Sequence, residues 1–186
     1  MEIQAELNNM QESMEKSIEY FEGQLAKVRT GRASQSLLDG IQADAYGQRQ
    51  PLNAVATVNV PDARTIVVQP WDKSLITEIE KAIRSADLGL NPQNDGTIIR
   101  IPVPPLTEER RNEYVKVAKK YAEEAKIAVR NIRRDANDTF KKAEKDKDIS
   151  EDDKKGAEDQ VQKLTDKYIE RIDGLATQKE KELLED

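Results

Sequence analysis

Residues 104–145 read PPLTEERRNEYVKVAKKYAEEAKIAVRNIRRDANDTFKKAEK. Pro104 and Pro105 fix φ and force an extended entry. Thr107 can cap a helix, and Glu108 and Glu109 place negative charge on its first turn, where the dipole favours it. From Leu106 to Lys145 there is neither proline nor glycine. At 1.5 Å per residue such a helix spans about 60 Å, far beyond an ordinary globular helix. Tyr114, Ala118, Tyr121, Ala125, Ile132, Ala136 and Phe140 recur at helical spacing on one side. Lys119, Lys126, Arg130, Arg133 and Lys141 recur on the other, with Asn137 in the same row. One face can pack on neighbouring helices while the other meets something negatively charged.

Two more segments carry the same period. Ile3, Leu7, Met10, Met14, Ile18, Phe21, Leu25 and Val28 predict a helix over residues 2–29, ending near Thr30-Gly31 with Gly31 as a C-terminal cap. After a loop at residues 146–149, Ser150 is an N-cap for a third helix. Its stripe is Ala157, Val161, Leu164, Tyr168, Ile172, Leu175 and Leu183. Between the first two helices the composition changes: residues 31–104 hold six of the seven prolines. Residues 41–46, 55–60, 65–68 and 97–103 predict strands. Residues 47–50, 61–64 and 94–96 predict turns, and residues 74–85 a short helix. Pro102 demotes the last strand to an edge or a strand end. The pattern predicts an α+β protein of two domains. A discontinuous three-helix bundle, 1–30 and 105–186, carries an inserted β/α/β domain, 31–104. The crossings, Thr30-Gly31-Arg32 and Val103-Pro104-Pro105, make a paired hinge with restricted directions.

Charge narrows the function. The chain of 186 residues carries a formal net charge of −6, yet residues 106–145 hold 12 basic and 8 acidic groups. That is the one net-basic segment, and a local potential of this kind can bind a polyanion although the whole is acidic. Arg130, Arg133 and Arg134 fall within two turns, and arginine is the better fork for phosphate. A solvated helix face is the plain alternative. Nucleic-acid backbone is the natural partner, with little base specificity. Arg29, two residues before Gly31, reads locally as compensation for a helix dipole. Trp71 reads as a core or surface aromatic. Cysteine and histidine are absent, which removes thiolate chemistry and the commonest general base and metal ligand. No phosphate loop or catalytic constellation is present, so no cofactor, metal or enzymatic activity is expected. No segment suits a membrane span, and the N-terminus does not read as a signal peptide, so a cytoplasmic location is expected.

Several motifs resemble one family closely, colinear over essentially the whole chain. They are Arg29-Thr30-Gly31-Arg32-Ala33-Ser34, Leu37-Leu38-Asp39-Gly40-Ile41, Ala86-Asp87-Leu88-Gly89-Leu90-Asn91-Pro92, residues 101–111, residues 128–138, Ile149-Ser150-Glu151-Asp152-Asp153 and residues 161–166. Together they resemble the bacterial ribosome recycling factors. The resemblance implies an L-shaped two-domain protein that, with elongation factor G and GTP hydrolysed by that partner, disassembles the post-termination ribosome. It implies that Arg111, Arg130 and Arg133 face ribosomal RNA of the large subunit, and that Arg29 and Gly31 belong to the conserved hinge pattern. With Lys119 and Lys126 these arginines form the candidate RNA-binding set. Residues 45–50 depart from the family's usual aromatic pair and Thr-Pro turn around Gly47. A helical scaffold or coiled-coil adaptor is the alternative of another class. It would self-associate, whereas an intramolecular bundle should sediment as a monomer.

Overall fold

The computed structural model describes residues 1–185. Their order is α1 (Ile3–Ala26), β1 (Gln42–Ala45), β2 (Gln48–Pro51), β3 (Ala56–Asp62), β4 (Thr65–Pro70), α2 (Ile76–Ser85), β5 (Gln93–Asn94), β6 (Ile99–Pro102), α3 (Glu108–Lys145) and α4 (Glu151–Leu184). The chain divides into two compact units, residues 1–30 with 107–186 and residues 31–106.

In the first unit α1, α3 and α4 all pack on one another. The apolar stripes dictate this. Met14, Ile18 and Phe21 of α1, Val129 and Phe140 of α3, and Val161, Tyr168 and Ile172 of α4 are fully buried. Each large side chain so buried contributes about 1.5–3 kcal/mol. The predicted stripe of α3 is shifted slightly. Ala122, Val129 and Ala143 are buried, while Tyr114, Tyr121, Ile132 and Ala136 are only partly covered. On α4, Thr165 and Ala176 occupy the buried line beside which Leu164 and Leu175 sit half-covered.

The helix starts follow their capping chemistry. The Thr107 hydroxyl accepts from the Arg110 N–H at 3.2 Å. Ser150 and Asp153 form a reciprocal capping box, at 3.0 and 3.2 Å. One helix end differs from expectation. Helix α1 stops at Ala26 and not at Thr30-Gly31, because the N–H groups of Lys27 and Val28 bond three residues back, to Gln24 and Leu25, and close the last turn.

Helices α1 and α4 are stitched by one polar cluster. The Tyr168 hydroxyl, on a fully buried ring, donates to Glu15 Oε1 at 2.9 Å. Arg171 Nη1 donates to both oxygens of Glu15, at 2.9 and 3.0 Å, and Arg171 Nη2 pairs with Glu22 at 3.5 Å. The Arg171 and Glu15 side chains are 43% and 41% exposed, so their ion pair is screened and contributes little. The bond from Tyr168 is what sets the geometry.

In the second unit β3, β4, β6 and β5 form a sheet in that order, all neighbours antiparallel. Ile66, Val68, Ile99 and Ile101 of the sheet are fully buried in one cluster with Ile79 and Ile83 of α2. Strand β6 is therefore interior. Pro102 is tolerated as its last residue, not as part of an edge, and the short strand β5 beyond it was not foreseen. Pro61, which has no N–H to donate, lies where the β3–β4 register shifts. The segment expected to be a turn at 47–50 is mostly strand. Gln48–Pro51 pairs back on β1 through a two-residue loop at Tyr46 and Gly47, both at positive φ (54° and 78°). That twist suits a tight hairpin, and the polar run Gln48-Arg49-Gln50 has no alternation to betray a strand.

The second crossing also differs from expectation. Val103 is not a free link but buried core of the second unit, its N–H donating to the Arg64 carbonyl at 2.7 Å. Gly31 is fixed in the same unit. Its carbonyl accepts from Arg64 Nη1 at 2.9 Å, its φ is +78°, and a Cβ there would stand 2.9 Å from Leu106 Cγ. Only glycine takes this backbone without strain.

Two predictions arise from these contacts. Gly31→Ala is expected to destabilise the second unit by about 1–2 kcal/mol. Gly23→Ala, mid-helix with open space around it, is expected to stabilise by about 0.5–1 kcal/mol. Denaturant titrations of both variants check the opposite signs. For Glu15, the hydrogen bond from Tyr168 and then the charge-assisted bond from Arg171 hold the carboxyl below its ordinary range. A depressed carboxylate adds stability at pH values above its unfolded pKa and loses it as pH falls through the lower folded value. In Tyr168→Phe the Glu15 carboxyl is expected to titrate at higher pH than in the parent, read by NMR. An unmoved titration would show that Arg171 alone sets it.

Candidate nucleic-acid interface

Helix α3 presents the predicted cations Arg111, Lys119, Lys126, Arg130 and Arg133 along 38 uninterrupted residues. The structure changes where this row lies. It does not oppose the buried stripe but runs along its flank, where Lys126 and Arg133 meet α4. Neighbours such as Ala118 and Lys119, or Ala125 and Lys126, are only about 100° apart around the helix. A row one residue beyond the buried one therefore lies at the rim of the core.

Each cation consequently meets something different. Lys119 is exposed. Lys126 is 21% exposed and salt-bridged to Asp173 of α4. Arg130 pairs with Glu123 on its own helix at 3.6 Å. Arg133 is half-buried; its Nη1 donates to Gln162 Oε1 of α4 at 3.4 Å, and its Nε is shut from solvent without a hydrogen-bond partner. Asn137, one turn further, is half-buried too. Arg111 is half-covered near the start of the helix. Arg29 is not part of the row. It follows the end of α1, half-buried, with a buried Nε that has no hydrogen-bond partner.

Of the acidic and amide residues beside the row, Glu123 and Asp173 were not singled out from the sequence, and Gln162 and Asp166 entered only within the motif at residues 161–166, with no contact assigned to them. The one sequence signal among them is the i, i+4 spacing of Gln162 and Asp166, a pair that hydrogen-bonds at 2.8 Å. Elsewhere, a cleft of about 430 Å³ in the second unit is lined by Asp39, Asp44, Glu78, Arg49 and Lys81, and by none of the candidate residues. Among the described residues no group of three acidic side chains is arranged to hold a metal ion. Among the same residues no helix is long and apolar enough to cross a membrane.

These features define a class: an α+β protein whose helical unit bears a cationic flank and is interrupted in sequence by a small β-rich unit. The ribosome recycling factor family model matches residues 21–184. The ribosome-recycling factor of Symbiobacterium thermophilum is 55% identical over 179 residues, covering 96% of this chain and 97% of that one. That of Cupriavidus metallidurans is 58% identical over 176 residues, 95% of each chain. That of Nitratidesulfovibrio vulgaris is 55% identical over 185 residues, 100% of each. The solution structure of a ribosome recycling factor superposes with a TM-score of 0.75 at 43% identity, covering 99% and 98% of the two chains. A T. thermophilus ribosome recycling factor, placed with E. coli elongation factor G on the E. coli post-termination complex, superposes with a TM-score of 0.64 at 48% identity over the whole of both chains. The chain belongs to the ribosome recycling factor family.

Proposed function

We propose that this protein, with elongation factor G and GTP, disassembles the post-termination ribosome in the cytoplasm and frees it from messenger RNA. The observation that carries the reading is the full-length likeness to a relative placed on a post-termination complex together with elongation factor G. In this reading the protein is no enzyme, and GTP is hydrolysed by its partner. The helical unit is the anchor, holding ribosomal RNA of the large subunit through Arg111, Lys119, Lys126, Arg130 and Arg133, with Arg29 contributing from the end of α1. The flank suits phosphate because arginine forks lie along one line and the surrounding molecule is acidic, which confines the attraction to that line.

Replacing Arg130 and Arg133 by alanine is expected to weaken binding to isolated large subunits and to flatten its salt dependence. Each lost phosphate contact removes about one unit from the slope of log affinity against log salt. The fold should persist, since Arg130 is exposed and Arg133, though half-buried, is not one of the fully covered apolar side chains of the bundle. Undiminished affinity with an unchanged slope would remove the arginine flank from the mechanism.

The second unit is the part that a partner moves. Residues 31–105 carry 7 basic and 8 acidic groups, so this unit has little charge to hold it on RNA. The chain crosses between the units at residues 30–31 and 106–107. Gly31 and Leu106 lie against each other on the second unit's side, so both strands leave from one place and turn together. A crosslinked form with the units locked, its Arg130 and Arg133 flank left free, is expected to bind large subunits yet fail to split post-termination ribosomes with elongation factor G and GTP. Normal splitting by the locked form would leave the helical unit acting alone, as a wedge.

A further inference from the structure

The cations of the α3 flank are not held alike. Lys126 is paired with Asp173 of α4, and Arg130 lies 3.6 Å from Glu123 in an exposed pair that water screens. A carboxylate, screened or not, offsets part of the charge that a phosphate would meet. Arg133 has a neutral partner instead. Gln162 Oε1 accepts from its Nη1 at 3.4 Å, and an amide oxygen can take that bond without cancelling the charge. The amide is itself oriented. Its Nε2 donates to Asp166 Oδ1 at 2.8 Å, one turn along α4. With the NH2 group committed to a carboxylate, the oxygen is the atom turned toward α3. A reversed amide would set donor against donor and leave Asp166 facing an oxygen. Arg133 Nε, meanwhile, is packed away from solvent with no hydrogen-bond partner. The buried edge of the guanidinium is thus fixed by packing and one end by Gln162, while Nη2 makes no hydrogen bond among the described residues.

We propose that Gln162 and Asp166 are positioning residues for Arg133: an Asp166–Gln162 relay on α4 sets the guanidinium of α3 in its phosphate-binding pose with its full charge available. The inference rests on the reading of the α3 flank as the RNA contact. It goes beyond that reading by assigning a role to α4, on which none of the expected contact residues lies. Long side chains lose rotamer freedom when they bind, and one ordered beforehand loses less. Gln162 and Asp166 are both exposed, so their substitution does not open the core.

The test measures binding of the full-length protein and its variants to isolated large ribosomal subunits across a salt series, with thermal melts alongside. Gln162→Ala is expected to weaken binding by between about twofold and tenfold, the cost of ordering one long side chain, with the salt slope kept, because the charge is still there. Asp166→Ala should do the same. Gln162→Glu keeps an acceptor in place but neutralises Arg133, so it should weaken binding and lower the slope by about one, as Arg133→Ala does. In the Arg133→Ala background, Gln162→Ala should have no further effect. If Arg133→Ala weakens binding while Gln162→Ala binds as the parent does, or if the two losses simply add, the relay does not position Arg133 and the proposal is overturned. If Arg133→Ala itself leaves affinity and slope unchanged, the RNA reading of the flank fails first, and the relay fails with it.

Discussion

The burial of a small-residue seam on α3 is the constraint on which the rest depends. Over 38 residues this helix buries Ala118, Ala122, Ala125, Val129, Phe140 and Ala143, mostly side chains with little apolar area of their own. Such a stripe cannot hold a helix in place by itself. It needs larger side chains from elsewhere, and α1 and α4 bring Met14, Ile18, Phe21, Tyr168 and Ile172 to cover it. The alanines are useful in turn, since small side chains let helices approach closely. Beside the seam α4 meets two members of the basic row, Lys126 through Asp173 and Arg133 through Gln162. The same packing that makes the first unit stable therefore decides what surrounds the cations.

Much of this was legible in the chain. A period of 3.6 over long proline-free stretches identifies α1, α3 and α4, because helix existence depends on local spacing. Thr107 and Ser150 were readable as caps, because a hydroxyl followed by an acidic first turn has a local meaning. Helix α1 was harder to end. Thr30-Gly31 looks like a stop, but Gly31 serves the second unit, under Leu106, and the helix closes earlier by tightening its last turn. Strands β2 and β5 carry polar residues without alternation, so only their partners make them strands. Pro102 looked compatible with an edge; that it ends an interior strand depends on β5, two residues long. The link expected at Val103 is core for the same reason, since its hydrogen bond to Arg64 is a pairing no local pattern announces.

The candidate site divides along the same line. That cations recur on one side of α3 is a property of its own sequence. That they lie at the rim of the core, and not opposite it, depends on which of the adjacent rows the other helices cover. Tyr114, Tyr121, Ile132 and Ala136 suggested a buried centre slightly to one side of the observed one. The cations stand one residue beyond the stripe, at Ala118-Lys119, Ala125-Lys126 and Ile132-Arg133, about 100° around the helix from it. What the spacing alone does not give is that α4 covers that side and brings in Gln162, Asp166 and Asp173 from a segment some thirty to fifty residues later in the chain.

A charge row at a seam behaves differently from one in open solvent. An exposed lysine samples many rotamers, and its field is averaged over them and over water. At the rim, apolar packing on one side and a partner helix on the other restrict where a guanidinium can go, and the lower local dielectric strengthens what it does meet. Restriction is favourable only if the partner leaves the charge standing. Asp173 holds Lys126 by offsetting it, whereas Glu123 meets Arg130 in an exposed, screened pair; under the proposed RNA reading an incoming phosphate would compete with a carboxylate at both places. At Arg133 it competes with an amide oxygen at 3.4 Å, a much weaker rival for a guanidinium. The strength of the row is therefore not the sum of its positive charges. It is graded by what α4, and α3 itself two turns back at Glu123, place beside each one, and among Lys126, Arg130 and Arg133 only Arg133 has a neutral partner.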